Sequence, residues 1–257
     1  MRHRSSRNIF PMKAGIVIPA RYGSSRFPGK PLVSILGKPL VVRVWERASE
    51  TRGIEGVVVA TDDERIAACV REAGGTAVMT PSDLPSGTDR VMEASRDLDW
   101  DVVVNLQGDE PLIEPSLVEE LIDSFRRGRH EIATVAARNS SREDFEDPNV
   151  VKVVVDGEGN ALYFSRAPIP YHRDAEFRGF LRHVGIYAFR KSCFDRIRSL
   201  PLGRLERAES LEQLRWLEGG MKIRVIESGY DPVGVDVPGD VEKVERILRE
   251  KGGEGEA

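Results

Sequence analysis

The sequence predicts an α/β protein of three-layer α/β/α build, with a mixed, mainly parallel sheet and an antiparallel insertion. Three observations predict it. First, residues 14–19 (AGIVIP), 56–60 (GVVVA), 76–79 (TAVM) and 101–106 (DVVVNL) carry their apolar residues consecutively rather than in alternation. Such runs suit strands buried on both faces, as parallel strands are. Second, amphipathic stretches alternate with them, which places helices over both faces of the sheet. Third, after about Ala137 the pattern changes to strands paired around a glycine-containing turn, the signature of a hairpin.

The elements follow in order. Residues 39–51 place Leu40, Val41, Val44, Trp45 and Ala48 at helical spacing, and Gly53 stops the helix. Residues 62–72 carry Ile66, Ala67 and Val70 on one face, closed by Gly74 and Gly75. Residues 115–127 open on proline and end in Arg126 and Arg127, as the helix dipole favours. Residues 150–155 and 161–164 flank the turn Asp156-Gly157-Glu158-Gly159-Asn160. A further strand is expected at 182–189, one helix at 205–217, a strand at 223–227 and a last helix at 238–250. Residues 1–12 read as a flexible basic extension and 251–257 as a frayed tail. Residues 13–250 read as one domain, with the insertion over about 150–200.

The chain's 257 residues suffice to bury roughly 70–75% of the unfolded surface without staples. Basic and acidic residues number 38 and 42, a net charge of −4, which argues against a general nucleic-acid binder. Any polyanion held here should be small and gripped by a local cluster. Cys69 and Cys193 stand far apart with no metal-binding spacing, as expected of a reduced, cytoplasmic protein. No apolar run reaches the roughly 18 residues of a membrane span.

The first strand runs into Ala20-Arg21-Tyr22-Gly23-Ser24-Ser25-Arg26-Phe27-Pro28-Gly29-Lys30-Pro31. Loops at the carboxyl ends of strands are where open α/β sheets bind ligands. Two glycines let backbone N–H groups approach phosphate oxygens, and Arg21, Arg26 and Lys30 neutralise their charge. A P-loop is excluded, because five residues separate the glycines and Pro31 follows the lysine; no G-x-G-x-x-G follows the strand either. The competing reading is a solvated basic turn.

Two acidic segments complement this loop. Asn105-Leu106-Gln107-Gly108-Asp109-Glu110 follows another strand, and Val235-Asp236-Val237 brings a second aspartate just ahead of a helix. Magnesium binds one or two protein carboxylates together with phosphate oxygens, so Asp109 and Asp236 are candidate ligands. For Asp236 a capping role competes; Asp240 and the pair Asp62–Asp63 are read as caps.

These motifs carry a specific resemblance. IPARYGSSRFPGKPL, VATDDERI, SGTDRVMEA, VNLQGDEPLI, ALYFSRAPIP, RHVGIYAFR, ESLEQLR and GVDVPGDVE occur in the order seen in the 3-deoxy-manno-octulosonate (Kdo) cytidylyltransferases, within the sugar-nucleotide transferase superfamily. The match spans about residues 14–249. The resemblance implies a Rossmann-like fold of the nucleotide-diphospho-sugar transferase type. It implies formation of CMP-Kdo and diphosphate from CTP and Kdo with Mg²⁺, by direct attack of the anomeric hydroxyl on the α-phosphate, in lipopolysaccharide biosynthesis. It further implies that Arg21, Arg26 and Lys30 hold the triphosphate. Ala20, Ser86 and Gly87 would line the cytidine pocket, and Asp109 and Asp236 would carry the metal. The family is typically homodimeric.

The sugar acid needs a cation and several polar groups. Arg166 is a candidate carboxylate partner, since guanidinium pairs bidentately with carboxylates. Period-two geometry puts His183, Gly185, Tyr187 and Phe189 on one strand face, and Glu209, Glu212 and Gln213 share a helix face at i, i+3 and i+4. Gln107, two residues before the metal aspartate, completes the candidate sugar set. A structural role competes for each. Arg207 stands where some relatives carry histidine, so no role of that histidine transfers. Sialic acid and an amino variant of Kdo are the alternative substrates, and a non-catalytic nucleotide-binding module is the alternative class.

Overall fold

A computed structural model describes residues 12–23, 27–173 and 176–253, with side chains through 250; all of the predicted basic extension except Met12, and most of the predicted tail, lie outside the described residues. In chain order the strands and α-helices begin with β1 (Ala14–Ala20), a two-residue pair β2 (Ser34–Ile35) and β3 (Lys38–Pro39), then α1 (Leu40–Ser49), β4 (Val57–Thr61) and α2 (Glu64–Glu72). They continue through β5 (Thr76–Met79), α3 (Gly87–Ala94), β6 (Val102–Asn105), α4 (Pro115–Arg127), β7 (Ile132–Asn139) and α5 (Arg142–Glu146). The second half holds β8 (Lys152–Val155), β9 (Ala161–Ser165), β10 (Phe180–Arg190), α6 (Phe194–Ser199), α7 (Arg204–Glu209), α8 (Gln213–Glu218), β11 (Ile223–Ser228) and α9 (Gly239–Gly253).

The strand order is β11-β7-β10-β6-β1-β4-β5. β6, β1, β4 and β5 run parallel, as their unbroken apolar runs predict. β10 is antiparallel to both β6 and β7, whereas β11 is parallel to β7. The strands β8 and β9 join this sheet as an antiparallel pair laid against β10. Antiparallel β10 therefore lets β7 and β11 run in the same direction as β1, and their carboxyl ends share one edge of the sheet.

Two apolar layers pack against the sheet, and β1 feeds both. Ile16 and Ile18 enter the layer made with α1, α2, α4 and α9, through Val44, Ile66, Leu121 and Val244. Val17 enters the other, with Val91 of α3, Ile197 of α6 and Trp216 of α8. Opposite facing of neighbouring residues is the period-two geometry of a strand, so helices must cover both sides. Among the described residues no helix is long and apolar enough to cross a membrane.

The sequence-predicted helix over 205–217 is two helices. Ser210 takes a left-handed conformation, φ 52°, and ends α7; Leu211 turns inward, 7% exposed, and α8 starts two residues later. The pair is tied by Arg215, which donates to both carboxylate oxygens of Glu206 at 2.7 and 2.5 Å in a largely buried ion pair. Glu209, Glu212 and Gln213 thus occupy the end of one helix and the start of another, not one helical face. Also unforeseen were β7, α3, α5, α6 and the short pair of β2 and β3.

Candidate active site

The first loop leaves β1 at Ala20, which is buried beside Thr61 of β4. Gly29 closes it: its N–H donates to Tyr22 O at 2.9 Å, and its φ of 74° is a left-handed geometry that glycine adopts without strain. A tight 3-10 turn, Lys30–Leu32, follows with Pro31 in its first turn, so the Lys30 backbone is fixed where its side chain departs. Arg26 lies outside the described residues.

The Lys30 ammonium stands 2.7 Å from Asp109 Oδ2 and 3.8 Å from Asp236 Oδ1. The two aspartates, 127 positions apart in sequence, meet for a backbone reason. Val235 N–H donates to Asp109 O at 2.9 Å, laying the segment before α9 along the loop after β6. Asp240, read as a cap, instead sits in the first turn of α9 and reaches back, its carboxylate accepting from the N–H groups of Asp236 and Val237 ahead of the helix. Gly108 packs on the end of β1: a Cβ there would lie 2.9 Å from Pro19 O. Next to Asp109, the Glu110 carboxyl is buried against Tyr230, whose hydroxyl donates to it at 3.1 Å. Burial, followed by the neighbouring Asp109 charge, raises its pKa to about 7.

Two carboxylates converging on one cation, beside a basic loop, form a hard-oxygen donor set of the kind magnesium uses with phosphates. No cluster of three or more metal-binding side chains exists among the described residues, so such an ion would draw further ligands from substrate and water.

Ser86 and Gly87 begin α3 beside this loop. The Ser86 hydroxyl accepts from Asp89 N–H at 3.0 Å and donates to the Asp89 carboxylate at 2.7 Å, which caps the helix. A Cβ on Gly87 would contact the Pro19 ring at 3.6 Å, so this N-terminus stands close to the end of β1. Arg21 reaches across to Leu84 O at 2.8 Å, tying the first loop to the segment that leads into α3.

Further along the same edge, the Gln107 side-chain amide donates to Gly185 O at 3.0 Å. That carbonyl lies in a break of register on β10: Val184 pairs with Val135, but Tyr187 already pairs with Thr134. Two extra residues preserve the alternation, so His183 and Tyr187 share a face, ring centroids 5.4 Å apart, as period-two reasoning expected. Thr134 Oγ1 donates to Ile186 O at 2.8 Å, so at 3.0 Å it accepts from His183 Nε2–H. The imidazole is therefore the Nε2–H tautomer. Burial lowers its pKa to about 3 and keeps it neutral.

A polar cluster lies behind these rings. Thr88 Oγ1 donates to Glu212 Oε2 at 2.6 Å and accepts from the Asn105 amide at 3.4 Å. Burial raises the Glu212 pKa. Asn105 Oδ1 and the Tyr187 hydroxyl are both buried without a well-formed hydrogen bond. Gln213 is buried in the first turn of α8.

Arg166, the candidate carboxylate partner, is held in place by three backbone carbonyls. Its guanidinium donates to the carbonyls of Glu209 at 2.7 Å, Pro148 at 3.0 Å and Ser210 at 3.5 Å. The Glu209 carboxylate in turn accepts from Ser165 and from Arg166 N–H, so β9 and α7 are locked together. Two of the five guanidinium N–H groups are left for a ligand. Asp63 caps α2 as expected, but Asp62 pairs instead with fully buried Arg90 at 2.8 Å. Sequence reasoning missed Arg90, because nothing local distinguishes a buried arginine from an exposed one on an amphipathic helix.

A mainly parallel α/β sheet with a basic loop, a helix N-terminus and two aspartates at one carboxyl edge defines a nucleotidyltransferase-type fold and site. The sequence matches the cytidylyltransferase family model over residues 15–223, and the chain belongs to that family. It is 51% identical to the 3-deoxy-manno-octulosonate cytidylyltransferase of Syntrophobacter fumaroxidans, over 90% of this chain and 95% of that one. It is 48% identical to the 8-amino-3,8-dideoxy-manno-octulosonate cytidylyltransferase of Shewanella sp. (strain ANA-3), over 92% and 99%. Among solved structures it resembles a CMP:2-keto-3-deoxy-manno-octonic acid synthetase in complex with CTP, with 47% identity, a TM-score of 0.89, and coverage of 93% and 99%.

Proposed function

We propose that the chain is a Kdo cytidylyltransferase, converting CTP and 3-deoxy-D-manno-octulosonate to CMP-Kdo and diphosphate. The observation that carries this reading is the near-full-length likeness to the CTP-bound Kdo-activating synthetase. The grouping of Lys30, Asp109 and Asp236 supports it from the chemistry. The anomeric hydroxyl oxygen bonds to the α-phosphorus as its proton passes to water, the bond from that phosphorus to the bridging oxygen breaks, and diphosphate leaves with the electron pair. Arg21, Arg26 and Lys30 would hold the triphosphate and stabilise the charge gathering on the leaving group. Ala20, Ser86 and Gly87 would bound the cytidine pocket. Asp109 and Asp236 would hold Mg²⁺, which supplies charge neutralisation at the phosphates.

The sugar would sit along β10. Gln107, His183, Tyr187, Glu212 and Gln213 line or back that face, and Arg166 offers its two remaining N–H groups to the carboxylate. Neutral His183 presents Nδ1 as an acceptor, which suits a polyol hydroxyl. The reading carries with it a cytoplasmic homodimer working in lipopolysaccharide precursor synthesis.

The Shewanella relatives favour a second reading, in which the substrate carries an 8-amino group in place of the hydroxyl. Diphosphate release with CTP and Mg²⁺, run in parallel with Kdo, the 8-amino sugar, sialic acid and no sugar, tests both. Release with Kdo is expected. Release with the amino sugar alone moves the assignment to the second reading, and release with sialic acid alone discards both sugars while keeping the chemistry. Folded protein that binds CTP without turnover on any acid overturns the enzyme reading.

A further inference from the structure

The most strongly charged cavity described lies at the edge of the sheet opposite the candidate active site. It opens where β7 and β11 begin, at Ile132 and Ile223, whereas the site above gathers at the carboxyl ends of β1 and β6. Its volume is about 720 Å³, within the range of small-molecule sites. Arg127, Arg129, Arg196, Lys222 and Arg224 line it, with His130 at its wall.

Four of those five cations, Arg127, Arg129, Lys222 and Arg224, make no side-chain hydrogen bond or ion pair among the described residues. Both carboxylates in the lining are already engaged: Glu131 faces Arg196 at 3.4 Å, and Glu158 accepts from Asn160 at 3.4 Å. The lining therefore holds a local excess of three positive charges in a chain whose net charge is −4. Like charges gathered without partners repel, and that repulsion is relieved by an anion.

The end of α4 would be expected to oppose an anion here, since a helix C-terminus carries partial negative charge. Arg190 removes that objection. Its guanidinium donates to Phe125 O in the last turn at 2.8 Å, and to Gly128 O at 2.9 Å and His130 O at 3.1 Å just beyond it, so a cation sits against the helix end and offsets its partial negative charge. Of the acidic neighbours beyond the rim, Glu227 pairs with Arg138, and Asp156 accepts from the N–H groups of Asn160 and Glu158 while its charge acts on Lys222 without a direct ion pair.

We propose that this basin is a second anion site, separate from the catalytic edge, which binds a compact phosphate-bearing anion of at least two negative charges. Guanidinium forks match phosphate oxygens pairwise, and flexible Lys222 adds a point charge. The chemistry is shared by inorganic diphosphate and by the phosphate of a nucleotide, so both serve as probes.

The test uses the full chain carrying Lys30→Ala, which weakens phosphate binding at the catalytic edge. Inorganic diphosphate and, separately, CMP are titrated without metal while the His130 imidazole is followed by NMR. Saturable movement of the His130 resonances is expected with at least one probe; diphosphate alone identifies an inorganic ligand, and CMP a nucleotide one. Adding Lys222→Ser with Arg224→Ser should weaken that binding at least tenfold, and Arg129→Ser should weaken it independently. In the otherwise native chain these changes should leave turnover within twofold. Unmoved His130 resonances with both probes, or undiminished affinity in the serine variants, overturn the proposal.

Discussion

The Lys30 ammonium lies 2.7 Å from Asp109 Oδ2, joining the loop after β1 to the loop after β6. Lys30 is 17% exposed, so it keeps enough solvent contact for its removal to be tolerated by the fold. Lys30→Met is expected to lower turnover by about 10²–10³-fold, the range for removing one group that stabilises developing charge. Asp109→Asn should be at least as damaging while leaving the melting temperature within a few degrees. Lys38→Met breaks an exposed pair with Glu46 and should change neither property. Diphosphate release, with thermal unfolding beside it, checks all three.

His183 and His130 make stability fall on the acid side. Burial holds their pKa values at about 3 and about 4, against an ordinary value near 6.5. The unfolded chain therefore takes up protons that the folded chain refuses. The stabilisation is present above pH 6.5 and is lost as pH falls towards 4 for His130 and towards 3 for His183. Glu110 acts in the opposite sense, its contribution present below about 4.5 and lost as pH rises to about 7. Urea unfolding of native protein and of His183→Gln at several pH values should differ in slope by up to one proton between pH 6.5 and 3. Parallel curves would refute the burial of a neutral His183.

The parallel half of the fold was legible because β1, β4 and β6 bury both faces and so carry unbroken apolar runs. Strand β7 was not, since its IATVAAR run alternates too little and contains too much alanine to announce a strand. The split between α7 and α8 hangs on one residue: Ser210 at φ 52° is a conformation that serine rarely adopts and no spacing reveals. Lys30, Asp109 and Asp236 could be named from loop position and residue type, but their meeting depends on the Val235–Asp109 backbone bond. The partners of Arg166 and Arg90 could not be read for a common reason: they lie 18 to 44 positions away, on other elements, and decide what each arginine holds.

Tyr187 separates a structural from a substrate-binding role. Its hydroxyl is buried without a well-formed hydrogen bond, its polar interaction with the Thr134 side chain being a weak one, so removing it costs the fold little. Tyr187→Phe is expected to leave stability unchanged or slightly raised, because an unsatisfied buried hydroxyl disappears. If that hydroxyl serves the sugar, its KM should rise about threefold to tenfold, matching a hydrogen bond of about 0.5–1.5 kcal/mol, with the KM for CTP unchanged. Unaltered KM for both substrates would leave Tyr187 a ring that packs on Trp216 and no more.

Two glycines pressed against β1 and its end should respond in opposite ways. A Cβ on Gly15 would collide with the Trp100 ring, which covers the strand at the edge far from the candidate site. Gly15→Ala is expected to destabilise the fold by about 1–3 kcal/mol, the usual cost of overpacking, with kcat and KM intact. A Cβ on Gly108 would meet Pro19 O at 2.9 Å, and backbone cannot swing aside as a side chain can. The loop carrying Gln107 and Asp109 must then shift, and a displacement near 1 Å is enough to lower catalysis about 10²-fold. Gly108→Ala should therefore reduce kcat at least tenfold for a loss of stability no larger than that of Gly15→Ala. Urea unfolding and turnover measured on both variants decide it: equal effects on stability and on kcat in each would show that neither contact is specific to the site.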